Sequence, residues 1–223
     1  MTQTIKLACP VCQAEVKREL STAINTRIHP ELKEELLAGR LLSFTCDECG
    51  AKRQIETQML YHDPDNRLLF YLAPNFTTHH EEVMTFLEDI RTKLPVSLDD
   101  YKLRIVLRAA DLVEKVQLFD QDFDDQEIEL VKLLTDGLFA KEKPDAIVNA
   151  RYFYLKEDEP KILYLTSDDQ LLVDFHHTLL EFVRNKFRKA LNKDYLGQFI
   201  TVNQKWALNI AEHNEGLVTP QDD

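Results

Sequence analysis

The four cysteines of this 223-residue chain all lie within its first 50 residues, as Cys9-Pro10-Val11-Cys12 and, 33 residues later, Cys46-Asp47-Glu48-Cys49-Gly50. Two intervening residues let a tight turn aim both sulfurs of a pair at one point, with the turn's backbone N–H groups directed at them. Two such pairs supply four thiolates to one tetrahedral Zn²⁺. Gly50 suits such a turn because it tolerates positive φ. Residues 30–39, Pro-Glu-Leu-Lys-Glu-Glu-Leu-Leu-Ala-Gly, place proline in a first helical turn and glycine past the last one, so an inserted helix accounts for the long gap. The candidate ligands are Cys9, Cys12, Cys46 and Cys49, and the implied cofactor is a structural Zn²⁺. Four sulfurs close the coordination sphere, which leaves no position for a reacting water.

A redox reading competes, because proline inside a Cys-x-x-Cys pair also occurs where a thiol is activated at a helix N-terminus. The residues after Cys12 argue against it: Val16, Arg18 and Leu20 alternate as in a strand, and the second pair would be left without a purpose.

Strand-like segments flank both pairs, with Ile5 and Leu7 before the first and Leu42 and Phe44 before the second. Residues 51–61 look extended, and Asp63-Pro64-Asp65-Asn66 has the chemistry to turn the chain into the apolar run Leu68–Leu72, giving a hairpin. The expected first domain is therefore residues 1–75, a zinc-ribbon-like lobe with an inserted helix and a β-hairpin. Residues 76–223 form the second, a helical segment and then an α+β part, so the fold class is α+β.

In the second part, helices are expected from Thr78 to Pro95, from a Ser97/Asp100 capping box through Leu103 to Val116, and over about 125–138 with an interruption near Gly137. Two strands at 146–155 and 161–166, with a third at 171–173, precede a long helix capped by Asp174 and reaching Leu191, and a further helix at about 204–212.

The N-terminal cysteine constellation is similar to that of the CpXC domain proteins, a bacterial and archaeal family named for paired Cys-Pro-X-Cys motifs. The resemblance runs over about residues 5–75 and rests on Cys9-Pro10-Val11-Cys12, Asn25, Pro30-Glu31-Leu32, Gly39, Cys46, Cys49-Gly50 and Tyr61-His62-Asp63. Asp47 departs from the pattern, standing where the second motif would have proline, but every cysteine is in place. The resemblance implies a paired-cysteine domain and no catalytic residue.

Charge narrows the remaining function classes. Basic residues number 27 and acidic residues 39, a formal charge of -12, so the molecule as a whole repels nucleic acid and anionic membrane. Residues 1–60 are balanced at eight of each sign, and the whole acidic surplus falls beyond them. The longest run without a formal charge, Leu68–His80, has 13 residues, short of the ~20 apolar residues of a membrane span. Lys6 and Lys17 interrupt any apolar stretch at the start, so no secretory leader is expected. Paired cysteines without a secretory context point to the cytoplasm, where thiols stay reduced and serve as ligands.

Other constellations fail or have plain explanations. The acidic run Asp120, Asp122, Asp124, Asp125, Glu127, Glu129 lacks the glycine and final glutamate of a calcium loop and reads as a solvated helix start. His79-His80-Glu81 lacks the downstream cysteines of a zinc deaminase. His176, His177 and Glu181 read as surface groups, and Trp206 as a packing anchor. Lys17, Arg18, Lys52 and Arg53 flank the cysteine turns, where cations offset the charge of a tetrathiolate centre.

The resulting expectation is a non-enzymatic zinc-binding interaction or regulatory module, with a protein partner or a second copy of itself. A steering role is expected for the basic run Arg184, Lys186, Arg188, Lys189, Lys193, facing the acidic run of another copy. The alternatives are a nucleic-acid-associated zinc-ribbon regulator and a thiol-disulfide oxidoreductase using Cys9 and Cys12.

Overall fold

The computed structural model describes residues 2–193 and 195–213, and shows a mixed α+β chain in two compact units. The first unit holds the residues up to Val116 together with Tyr195–Ile200, and the second holds the rest.

The first unit begins with an antiparallel hairpin, β1 (Thr2–Ala8) and β2 (Glu15–Ser21), in which Leu7 pairs with Val16. β3 (Ala23–Asn25) and α1 (Pro30–Leu37) follow, then a second short hairpin of β4 (Ser43–Thr45) and β5 (Lys52–Gln54). The proline-first, glycine-last helix is as the sequence predicts, with Pro30 in its first turn and Gly39 at φ +69 just beyond its end. Both cysteine pairs thus sit at hairpin turns. β6 (Met59–Asp63) and β7 (Leu68–Leu72) form the expected third hairpin. It belongs to a five-stranded sheet of order β12-β8-β7-β6-β3, where β8 is Lys102–Val106 and β12 is Phe199–Ile200.

All five residues of β7 are buried, which is why this stretch reads as a continuous apolar run rather than an alternating one. The helix α2 (His80–Lys93) lays Val83 and Leu87 against Tyr71 and Ile105 on one face of the sheet. Leu98 and Tyr101 extend that packing onto Leu69 and Leu103.

Two expectations fail in this unit. The helix expected from Ser97 to Val116 is a strand at Lys102–Val106, parallel to β7, followed by the helix α3 (Ala109–Asp120). Leu103 and Ile105 face one side of the sheet while Arg104 and Val106 face the other, and all four are buried. With Arg104 buried beside Leu103, Ile105 and Val106, this five-residue segment is too short and too evenly buried to carry a period that distinguishes strand from helix. Ser97 accepts the Asp99 N–H at 3.2 Å and closes a tight turn instead of capping a helix. The compact unit also reaches well past residue 75, because β8 completes the sheet that β6 and β7 begin and β12 returns from far downstream to extend it.

In the second unit α4 (Asp125–Glu142) packs on a meander of β9 (Val148–Lys156), β10 (Glu159–Thr166) and β11 (Gln170–Asp174). α5 (His177–Lys186), the short α6 (Arg188–Leu191) and α7 (Gln204–His213) complete it. Glu157 and Asp158, both at positive φ, make the two-residue turn between β9 and β10. The core joins Ile128, Val131 and Phe139 of α4 to Phe153, Ile162 and Tyr164 of the sheet and to Leu180, Val183 and Phe187, with Trp206 packed at its margin as expected. Phe139 stacks on Tyr164 at 4.1 Å.

The helix α4 runs unbroken through Gly137 to Glu142, since its C-terminal turns are held by the same core and Gly137 meets no neighbour. The long C-terminal helix, in contrast, breaks at Phe187, and Asp174 does not cap it: His176 takes the cap position while Asp174 pairs with Lys161 at 2.9 Å.

The acidic run is only partly solvated. Asp124 caps α4 by accepting the Gln126 N–H, whereas Asp125 and Glu129 are buried. Glu129 pairs with Lys132 at 2.6 Å, and Arg151 reaches Asp136 at 2.7 Å. Burial pushes the Asp136 carboxyl above its ordinary range, against the pull of Arg151 and Tyr164. Glu127 binds Arg184 through two hydrogen bonds of 2.8 and 2.9 Å. The acidic and basic runs therefore meet within one chain at Glu127 and Arg184.

Candidate metal centre

Each cysteine pair is built by its hairpin in the same way. In the first, the Cys9 N–H donates to Ala14 O at 2.9 Å and the Gln13 N–H donates to Cys9 O at 2.7 Å. In the second, the Cys46 N–H donates to Ala51 O at 2.9 Å and the Gly50 N–H donates to Cys46 O at 2.9 Å. The two loops superimpose residue for residue in this pattern, so Pro10 corresponds to Asp47 and Gln13 to Gly50. Gln13 and Gly50 both have left-handed backbone, at φ 61° and 71°. The first cysteine of each pair is buried and the second is exposed.

This equivalence carries a prediction. Gln13 holds a conformation that glycine adopts at no steric cost and other L-residues adopt at about 1–2 kcal/mol. Gln13→Gly is therefore expected to stabilise the loaded protein by about 0.5–1 kcal/mol after glycine's extra chain entropy is subtracted. Denaturant unfolding with metal present measures this, and a loss of stability contradicts it.

The two loops face each other, and their ligand atoms all lie within 4.8 Å of one another. Two sulfur pairs cross between loops at 3.6 Å each, Cys9 to Cys49 and Cys12 to Cys46. Sulfurs bound at ~2.3 Å to one tetrahedral ion stand about 3.8 Å apart, close to this separation, whereas a disulfide requires ~2.05 Å. Among the described residues this is the one group of metal-ligating side chains close enough to hold an ion.

Its electrostatics favour a cation. Backbone N–H groups of Cys12 and Val11, with the Cys12 donor the stronger influence, bring the Cys9 thiol down to about 6. The Cys12 thiol goes the other way, to about 12: the Ala14 N–H lowers it, but burial and the Cys49, Cys46 and Cys9 sulfurs together outweigh that donor. The Cys49 thiol is also raised, since burial and the Cys9 and Cys46 sulfurs overcome the donor at Ala51. One thiolate forms readily and its neighbours resist a second negative charge, a repulsion that a bound cation removes.

The flanking cations take different positions. Lys17, Lys52 and Arg53 are exposed, while Arg18 reaches across from β2 to Thr45 O and the Asp47 carboxylate on the second loop. That bridge has no signature in sequence spacing.

The remaining motif residues are structural. Asn25 and His62 are register partners in the parallel β3/β6 pair, with Nδ2 and Nδ1 3.5 Å apart. Asp63, buried, accepts from the side chain and backbone N–H of Asn66 and shapes the turn into β7. His79 sits at the start of α2 hydrogen-bonded to Thr78, and His177 lies edge-on to Phe175 at 5.3 Å.

No described helix is long and apolar enough to cross a membrane. Comparison with curated proteins and with solved structures gives no match. Residues 7–132 match the CpXC protein family, a stretch that begins just before the first cysteine pair, takes in four strands of the five-stranded sheet, β3, β6, β7 and β8, and runs into α4. With more than half of its length in that match, both cysteine loops included, the chain belongs to the CpXC family.

Proposed function

We propose that Cys9, Cys12, Cys46 and Cys49 bind one Zn²⁺ as a closed structural centre, and that the chain is a non-enzymatic interaction or regulatory module of the cytoplasm. The observation that carries this reading is the 3.6 Å spacing of sulfurs drawn from opposite loops. It fits the edge of a tetrahedron around one ion, and a tetrahedral four-sulfur site suits zinc. Bound there, the ion supplies charge neutralisation and a cross-link between two hairpins. The chain's own groups do the rest: the Cys12, Ala14 and Ala51 N–H donors orient and stabilise the thiolates, and the left-handed residues Gln13 and Gly50 close the loops.

Four protein sulfurs fill the coordination shell, so the centre holds shape rather than activating water. The oxidoreductase alternative requires Cys9 and Cys12 to join each other, while Cys9 stands 3.6 Å from Cys49 and Cys12 3.6 Å from Cys46, sulfurs of the other loop. A cytoplasmic setting keeps such thiols reduced. The partner, a second protein or another copy of the chain, is then met by surface that the zinc-bearing hairpins orient.

Native mass spectrometry with elemental analysis of freshly purified, reduced protein tests the reading. One zinc per chain, lost together with its mass on treatment with acid or chelator, is expected. Metal-free protein with a reversible Cys9–Cys12 disulfide overturns it in favour of thiol chemistry.

A further inference from the structure

Arg18 holds both residues that flank Cys46. From β2 its Nη2 donates to Thr45 O at 2.9 Å and lies 3.3 and 3.4 Å from the two Asp47 carboxylate oxygens, while Nη1 donates to Lys17 O at 3.2 Å. Its strand neighbour Val16 is buried, so the guanidinium projects from a hairpin that is itself anchored. Asp47 occupies, in the second loop, the place Pro10 occupies in the first. Proline stiffens a loop from within by fixing φ. Aspartate has no such constraint, and a loop carrying it can reach the same rigidity only through contacts from outside.

We propose that Arg18, gripping Thr45 O and Asp47, is the positioning residue that sets Cys46 for metal capture, and that this clamp replaces the proline absent from the second loop. The proposal rests on the metal reading above. Its logic is that of groups just outside a metal's ligands, which orient those ligands and whose loss costs ~10–100-fold in affinity. Arg18 also places a fixed positive charge beside a centre that carries a net double negative charge when four thiolates hold a divalent ion. Arginine suits both roles, because Nη2 donates to the Thr45 carbonyl and the Asp47 carboxylate while Nη1 holds Lys17 O, a spread of donors over two fixed nitrogens that a lysine ammonium does not reproduce.

The decisive measurement is zinc affinity and release rate, by competition with a chromophoric chelator, for the full chain and four variants. Arg18→Ala is expected to weaken zinc binding about tenfold and to speed release similarly. Arg18→Lys, which keeps the charge and loses the fork, is expected to recover only part of that loss. Asp47→Pro alone is expected to bind as tightly as the parent protein, and Arg18→Ala/Asp47→Pro to return to within about twofold of it, since the internal constraint then makes the external one unnecessary.

Circular dichroism of each zinc-loaded variant confirms the fold, and if Arg18→Ala does not fold, the Arg18→Lys and double variants carry the comparison. Unchanged affinity in both Arg18 variants overturns the clamp. So does a double variant no tighter than Arg18→Ala, which would reduce Arg18 to a charge or packing role. A parent protein that takes up no zinc at all overturns the metal reading instead, a result separate from either.

Discussion

Cys46→Ala is expected to take the protein from about one bound metal per chain to none and to unfold the two cysteine hairpins, leaving the five-stranded sheet and the second unit folded. A three-sulfur remnant has lost a ligand that is buried and fixed by two backbone hydrogen bonds, Cys46 N–H to Ala51 O and Gly50 N–H to Cys46 O. Apart from the metal the hairpins have a small set of buried apolar side chains, Val16 and Leu20 on β2 and Phe44 on β4. β4 and β5 are three residues each, β5 is wholly exposed, and isolated two-stranded hairpins are marginal in water. β6 and β7 differ, although they lie within the same first 75 residues, because their side chains are buried with those of β8 and α2. Hydrogen exchange locates the lesion: backbone amides at 15–21 and 43–54 are expected to lose protection, and those at 59–72 and 102–106 to keep it. Full protection in metal-free protein would mean that the cysteines are incidental to the fold.

What could be read in the sequence, and what could not, follows the range of the interactions involved. The cysteine loops, the inserted helix and the hairpin into Leu68–Leu72 depend on spacing and turn chemistry within a few residues, and all were legible. β8 was not: Lys102–Val106 becomes a strand because β7 lies beside it in the sheet, and its apolar residues would equally serve one side of a helix. β12 is two residues long and has meaning only as the parallel neighbour of Leu103 and Arg104, about a hundred residues earlier. The division near residue 75 fails for the same cause, since a composition change marks the end of the cysteine lobe but not the edge of the sheet. Within the metal centre the four cysteines were evident from spacing alone. The bridge from Arg18 to Thr45 and Asp47 was hidden, because only the folded hairpins bring residues 18 and 47 together.

Gly197→Ala is expected to be among the most damaging single-methyl changes in the chain. Gly197 lies at φ +68 in the segment that leads into β12, and a Cβ added there would stand 3.0 Å from Asp99 Cα and 3.2 Å from Asp99 O. Neither atom belongs to a flexible side chain that can swing aside. The surrounding bonds also resist a shift: the Gly197 N–H donates to Tyr101 O at 2.9 Å, Arg91 Nη1 donates to Gly197 O at 2.8 Å, and Arg91 Nη2 is 2.9 Å from the Asp99 carboxylate. Alanine thus meets the left-handed backbone penalty of about 1–2 kcal/mol and, on top of it, an overlap of similar size, giving a loss of about 2–4 kcal/mol. In a unit of this size that corresponds to roughly 8–16 °C in thermal midpoint.

Gly39→Ala separates the two contributions, because Gly39 has nearly the same φ of +69 with nothing within 4 Å of an added Cβ, so it should lose only the backbone part. The structural consequence is specific as well: releasing Gly197 from Tyr101 frees β12 and exposes the outer edge of β8, where Phe199 now pairs with Leu103. Thermal unfolding of both variants, with hydrogen exchange at 102–106, measures the difference. Equal destabilisation by the two substitutions would show that the close approach of Gly197 to Asp99 is not what holds the returning strand in place.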